Sequence, residues 1–283
     1  FNGETKRFRN FMDYQRNWLE ASGSDDSHGR TLWALGTLLG RSNTPGLQSM
    51  AGRLFEQALP AILTTTSPRA WAFALIGIHE YLRRYDGDRR ASQVREELAG
   101  RLLTLYQANR SKEWCWFEES LSYCNAALPH AFLMCGQSIP SSTMSDAALE
   151  SLTWLADLQR DKTNGGHFVP IGSNGFYKRG GVRARFDQQP VEAQAMVSAC
   201  LEAHRITGDK NWYKEARRAF DWFLGRNDLN LPIYDPTTGG CRDGLHPDRP
   251  NENQGAESSL AFLQAVLELR LAENTLLTVE AGS

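Results

Sequence analysis

The chain contains no apolar run approaching the ~20 residues that cross a bilayer, and its opening residues, FNGETKRFRN, lack the apolar stretch of a signal peptide. A membrane role is therefore not expected. An excess of basic charge is missing too. The 31 Lys+Arg face 33 Asp+Glu, giving a formal charge of −2, so broad nucleic-acid binding, which needs a strong positive field, is not expected. No HExxH, HxxxH or Cys/His spacing occurs among the six histidines and five cysteines, so neither a transition-metal site nor a metal cofactor is expected. The glycines between Gly165 and Gly181 follow no strand-like apolar run, which removes the dinucleotide fingerprint and any cofactor it would hold. Cys115, Cys124, Cys135, Cys200 and Cys241 are odd in number and form no CxxC; buried thiols in a reducing cytoplasm are the expectation.

What is present is 283 residues, 41% of them hydrophobic, enough to build a substantial core. Two kinds of helical segment alternate. TLWALGTLLG (31–40), AWAFALIGI (70–78), AALPHAFLMC (126–135), AQAMVSACL (193–201) and LAFLQAVL (260–267) are apolar all round and must be covered on every side. Residues 46–63, 88–106, 143–158 and 209–224 are amphipathic, with one wet face. Five inner and four outer helices in strict alternation predict two concentric rings built from a repeated hairpin. The turns Tyr85-Asp-Gly-Asp88 and Ile206-Thr-Gly-Asp209 place Gly at a helix end and Asp at the next N-cap. A closed double ring of six hairpins needs twelve helices, so three more, one inner and two outer, are expected ahead of residue 1. Residues 7–20 read as an extended rim segment, and 160–189, rich in Gly and aromatics, as a lid loop or short β excursion.

Polar residues gather just before the apolar helices, in SDDSHGR (24–30), SPRAW (67–71), EWCWFEESLSYCNA (113–126), RFDQQPVEA (185–193) and NENQGAES (251–258). Parallel inner helices would bring these five lead-ins to one mouth. Acids and amides there would pair with hydroxyls while Trp and Tyr stack on a pyranose. Ser67-Pro68 is an ordinary helix start. Glu192, Asn253 and Glu257 read equally as helix-end complements or as ligands. His28 reads as a binding donor, a base or a capping residue, and His246 and His167 carry no partner signal. Arg183 and Arg185, with Lys178 and Arg179, make a local basic patch of the kind expected on a solvated loop.

Taken in order, SDDSHGRTLWALG, SPRAWAFALIG, WCWFEESLSYCNAALP, FDQQPVEAQAMV and NENQGAESSLAFL resemble the six-hairpin (α/α)6 toroid domain of bacterial proteins named as glycosyltransferases or related to glycosidases. The resemblance spans about residues 7–272. It implies an all-α toroid forming one incomplete domain over 1–283, since similar chains carry a further helical N-terminal portion. It also implies a carbohydrate context. The matching polar positions are Asp26, His28, Arg30, Arg69, Trp116, Glu118, Tyr123, Asn125, Asp187, Gln188, Gln189, Glu192, Asn253, Gln254 and Glu257. One departure stands out: the family pattern Tyr-Asp-Asn-Ala is Tyr123-Cys124-Asn125-Ala126 here.

The expected activity is glycoside-hydrolase-like, on a mono- or oligosaccharide, with Glu118 as general acid beside Trp116 and Phe117 and Asp187 as base or nucleophile. Glu119, Glu192 and Glu257 are substitute carboxylates, and the remaining matched positions would bind substrate. Two alternatives differ in kind. One is a non-catalytic glycan-binding or scaffold domain serving a glycosyltransferase partner, mildly favoured by Cys124. The other is a sugar epimerase, which needs a proton-shuttling base on each face of the ring.

Overall fold

The computed structural model describes residues 1–139, 142–163 and 166–281, with side chains through residue 274. Gly165, within the expected lid, lies outside the described residues. Nine α-helices occur among the described residues: α1 (Asp25–Arg41), α2 (Pro45–Ala58), α3 (Pro68–Leu82), α4 (Arg89–Asn109), α5 (Ala127–Gly136), α6 (Ser142–Leu158), α7 (Pro190–Thr207), α8 (Lys210–Asp221) and α9 (Ala256–Ala281). A 3-10 turn, Leu59–Thr64, extends α2. Two small antiparallel pairs complete the elements: β1 (Ser120–Leu121) with β2 (Tyr177–Lys178), and β3 (Gly244–Leu245) with β4 (Pro250–Asn251). The segment 7–20 is non-helical, closed by a Met12–Trp18 bridge, and the 160–189 stretch makes the expected β excursion through β2. The chain forms two compact units, Phe1–Ala108 with Met134–Ser145, and Asn109–Leu133 with Asp146–Ser283.

In the first unit α1 and α3 are the packed pair. Their register is constant. A Cβ on Gly29 would meet Ala70, one on Gly36 would lie 2.0 Å from the Gly77 carbonyl oxygen, and one on Gly40 would meet Glu80 at 2.0 Å. Steps of about forty residues along both helices mean that they run parallel, backbone against backbone. Local chemistry fixes where they start. Ser24 Oγ accepts the Ser27 N–H and Asp25 and Asp26 occupy the first turn of α1, while Ser67 caps α3 ahead of Pro68. At the other end the buried Glu80 carboxylate takes both arms of Arg41, at 2.7 and 2.7 Å.

In the second unit α7 packs on α8 and α9. Every residue from Cys124 to Cys135 and from Pro190 to Cys200 is buried, as helices without a polar stripe require. Gly208, at φ +70°, ends α7 in the left-handed conformation, and Asp209 caps α8. The matching turn after α3 behaves differently. Asp88 does cap α4, accepting the Arg90 and Ala91 N–H groups, but α3 already stops at Leu82 through Arg83, so Gly87 ends no helix.

Helix α9 also departs from expectation. Leu260, Leu263, Leu267 and Leu271 form a row at helical spacing that is half or more exposed, while Ala261, Phe262, Ala265 and Leu269 are buried. Its apolar residues make two faces, and α7 and α8 cover one of them.

The α1–α3 contact sets a test. Replacing Gly36 by Ala adds up to ~1 kcal/mol of helix propensity, but the new methyl would sit 2.0 Å from the Gly77 carbonyl. The steric term wins. The variant should lose ~1–3 kcal/mol or more, read as a lower thermal midpoint, whereas Gly52→Ala, whose Cβ meets only Leu39 at 3.8 Å, should not.

Candidate functional site

The lead-in segments do meet, within each unit. In the first, Asp25 reaches from the start of α1 to the start of α3, accepting the Thr66 and Ser67 N–H groups at 3.0 and 3.4 Å and the Arg7 guanidinium at 2.7 Å. Burial pushes its carboxyl up, but the Thr66 N–H and Arg7 outweigh that and hold it below the usual range. Asp26 pairs with Arg30 at 2.8 Å, and the Arg30 guanidinium lies 4.4 Å from the Phe73 ring. Arg69 is buried. His28 is fully buried, lies with its ring tilted against Phe8, and donates from Nε2 to the Ala58 carbonyl at 3.1 Å. Its ring is a core element joining α1 to the end of α2. A pocket of about 560 Å³ in this unit is lined by Trp71 and residues of α4, and by none of the sequence-predicted site residues.

In the second unit three lead-ins are linked by hydrogen bonds. The buried Glu192, in the first turn of α7, accepts the backbone N–H of Cys124, that of Asn125 at 3.4 Å and the Asn125 Nδ2 at 3.0 Å. It thereby closes the start of α5 against the start of α7. The chain at Cys124 is left-handed, φ +48°. Next, Gln188 and Leu245 exchange backbone hydrogen bonds at 3.1 and 2.9 Å, an antiparallel bridge that sets Asp187 opposite His246. The Asp187 carboxylate and His246 Nδ1 are 2.5 Å apart, with the two side chains 29% and 34% exposed. Finally, Asp243 accepts from Asn253 Nδ2, the Gly255 N–H and Ser258 Oγ, which organises the start of α9; burial pushes its carboxyl up, but these hydrogen bonds together outweigh that and hold it below the usual range.

Asp187 itself is held in a left-handed conformation, φ +58°, that costs a non-glycine residue ~1–2 kcal/mol. Its carbonyl accepts both the N–H and the hydroxyl of Ser173 at 3.0 Å. Gly172 lets this strand lie against Phe186, where a Cβ would be 1.8 Å from the carbonyl oxygen. The buried Gln188 accepts from Trp222 Nε1 at 2.7 Å and donates to Asp228 at 2.6 Å.

The other predicted residues divide. Trp116 is fully buried, edge-on to Phe117 and stacked with Trp154, so its indole face belongs to the core. Glu118 is half-buried, its carbonyl accepting from Trp114 Nε1. Glu119 is exposed and paired with Arg179 at 3.2 Å. Tyr123 is half-buried, Gln189 is the N-cap residue of α7, and Glu257 is exposed in the first turn of α9. Gln254 accepts from Thr238 and donates to Asp235.

In the basic patch of the 160–189 loop Lys178, Arg179 and Arg185 are exposed, as expected, and Arg183 is the exception. Arg183 is largely buried, its guanidinium donating to the Leu158, Val169 and Pro170 carbonyls, and desolvation lowers its pKa to about 10. Arg185 bridges two buried carboxylates, Asp161 and Asp228, and His167 Nε2 lies 2.9 Å from Asp228. Asp161, His167 and Asp228 offer ligand atoms within 4.8 Å of one another, the one such group among the described residues that could hold a metal ion. Arg185 already supplies positive charge to both acids. His246, His167 and Asp228 escaped the sequence reading because their partners lie about sixty residues away; only the short spacing of Asp187 to the start of α7 was visible.

No protein-family model and no curated protein matches the chain. Solved structures do. An unsaturated glucuronyl hydrolase from Bacillus sp. GL1, responsible for glycosaminoglycan degradation, superposes with a TM-score of 0.66 at 12% identity, over 93% of this chain and 72% of that one. Cellobiose 2-epimerase from Bacillus thermoamylovorans gives 0.65 at 10%, over 97% and 81%. A glycoside hydrolase family 76 mannosidase from Bacteroides thetaiotaomicron gives 0.62 at 9%, over 96% and 82%. The chain has the (α/α)6 toroid fold of these proteins.

Two outcomes test the structural assignments. Burial lowers the His28 pKa to about 4, partly countered by its bond to Ala58. Between about pH 6.5 and 4 the unfolded chain therefore holds more protons than the folded one, and stability falls as pH drops through that window, by on the order of 3 kcal/mol. His28→Gln should flatten this slope in urea titrations at stepped pH. Glu192→Gln would face its amide toward N–H donors and should lose ~1–3 kcal/mol by the same measurement.

Proposed function

We propose that this protein is a carbohydrate-active enzyme that cleaves a glycosidic bond, with Glu118 as general acid and Asp187 as the carboxylate of the base side. Asp187 carries the reading. It is a partly exposed acid whose carboxylate meets a histidine, on backbone held by Ser173 on one side and by the Gln188–Leu245 bridge on the other. Glu192 and Asp243 are committed to backbone N–H groups, while Glu113, Glu118, Glu119, Asp187, Glu252 and Glu257, the other acids of the second unit's lead-ins, each keep some exposure. Hydrolysis needs one protonated and one ionised carboxyl about 5–5.5 Å apart for retention or ~6.5–9.5 Å apart for inversion. Sugars are the substrate class because the toroids of matching shape are named for a glucuronyl hydrolase, a cellobiose epimerase and a mannosidase, and because amides and acids crowd the lead-ins. With Trp116 in the core, Tyr123 is the half-buried aromatic left to stack on a ring. Five buried, free thiols suit a reducing cytoplasm.

A panel of α- and β-linked aryl glycosides, with short glucans and mannans, tests the reading. Glu118→Gln and Asp187→Asn should each lower kcat by ~10²–10⁴ with little change in thermal midpoint. Undiminished turnover in Glu118→Gln removes it as proton donor. Oligosaccharide binding by calorimetry without any turnover moves the protein to the alternative, a glycan-binding domain serving a glycosyltransferase.

A further inference from the structure

The Asp187–His246 pair has a polarity that the cleavage reading does not by itself use. An ionised carboxylate only accepts hydrogen bonds, so at 2.5 Å from Asp187 Oδ1 the Nδ1 of His246 is the donor. In the neutral ring a proton on Nδ1 leaves Nε2, across the ring, with its lone pair. No residue among those described bonds to Nε2, and the side chain is one-third exposed. The ring is carried on a rigid mount. His246 donates its backbone N–H to the Arg249 carbonyl at 2.9 Å, and the preceding Leu245 is locked to Gln188 by two hydrogen bonds. Asp187 is fixed in turn by Ser173 and by the anchoring of Gln188 on Asp228 and Trp222. An imidazole with one nitrogen pinned by a carboxylate and the other open is arranged as a proton acceptor.

We propose that His246 is the catalytic base, acting through Nε2, and that Asp187 is its positioning residue. This rests on the cleavage reading and specifies its base side. His246 Nε2 takes a proton from water as the water oxygen bonds to the anomeric carbon. The glycosidic C–O bond breaks, and the leaving oxygen takes the proton of Glu118. Asp187 stabilises the imidazolium, which then returns its proton to solvent while Glu118 is reprotonated. The sum is glycoside plus water giving two hydroxyl products, with no oxidant or further reactant.

Two measurements separate this from direct action of Asp187. The ring nitrogens of His246, observed by ¹⁵N NMR of the whole chain and assigned by their loss in His246→Gln, should show Nδ1 protonated and Nε2 bare. Asp187→Asn should abolish that preference. On whichever glycoside of the panel is turned over, His246→Gly should lose ~10²–10⁴ in kcat and recover at least tenfold with imidazole in the medium. Asp187→Gly should recover nothing with formate. An Nε2-protonated tautomer, a failure of imidazole rescue in a folded His246→Gly, or formate rescue of Asp187→Gly overturns the inference alone. No turnover of any glycoside overturns the cleavage reading and this role with it, whatever the tautomer.

Discussion

A helix whose start is buried leaves backbone N–H groups that water cannot reach, and each must find an acceptor. This constraint shapes both units. The chain leading into α3, at Thr66 and Ser67, is answered by Asp25, reaching across from α1, and that leading into α5, at Cys124 and Asn125, by Glu192, reaching across from α7. The start of α9 is answered by Asp243 from the loop before it. In two of the three cases a neighbouring helix supplies the carboxylate. The acid therefore does two jobs at once: it satisfies stranded donors and fixes how neighbouring helix ends sit together.

The same constraint explains why acids before apolar helices are an ambiguous sign of chemistry. A carboxylate at a helix start is favoured by the local field whether or not it meets substrate. The partners resolve the ambiguity. Asp25, Glu192 and Asp243 each accept two or more hydrogen bonds from backbone or neighbouring side chains. The Asp187 carboxylate accepts from an imidazole alone among the bonds described, and stays partly exposed. Exposure does not separate them, since the Asp25 and Asp187 side chains are 26% and 29% exposed; the number of donors on the carboxylate does.

Periodicity made the helices legible. Each apolar segment read from sequence falls on α1, α3, α5, α7 or α9 to within a residue, and each amphipathic one on α2, α4, α6 or α8, although 46–63 runs on through the 3-10 turn and 209–224 passes the end of α8 at Asp221, because three- and four-residue spacing is a local property. Long-range pairing was not legible. Arg185 looks solvated in RFDQQ, and only the fold brings Asp161 and Asp228 to it. Trp116 looks like a platform beside two glutamates, but its ring goes inward onto Trp154. The count of apolar residues in α9 predicted full cover, since composition cannot tell one dry face from two. His246 gave no signal because the bridge that sets it opposite Asp187 joins segments separated by nearly sixty residues.

The strain at Asp187 has a local explanation. Arg185 and Gln188 both donate to the carboxylate of Asp228, which is itself buried and faced by His167. Four residues of chain, Arg185 to Gln188, are thus anchored at their two ends on a single acid, and the span between those anchors must fold over itself. A left-handed residue shortens such a span, and Asp187 is the one that adopts it. Its cost of ~1–2 kcal/mol is small against charge-assisted hydrogen bonds to a buried carboxylate, each contributing ~1.5–3 kcal/mol. Anchoring on Asp228 therefore dictates the backbone, the backbone turns Asp187 toward the β3–β4 hairpin, and the hairpin presents His246. The chemistry proposed for the pair is a consequence of that buried charge network, two residues away from the atoms that would react.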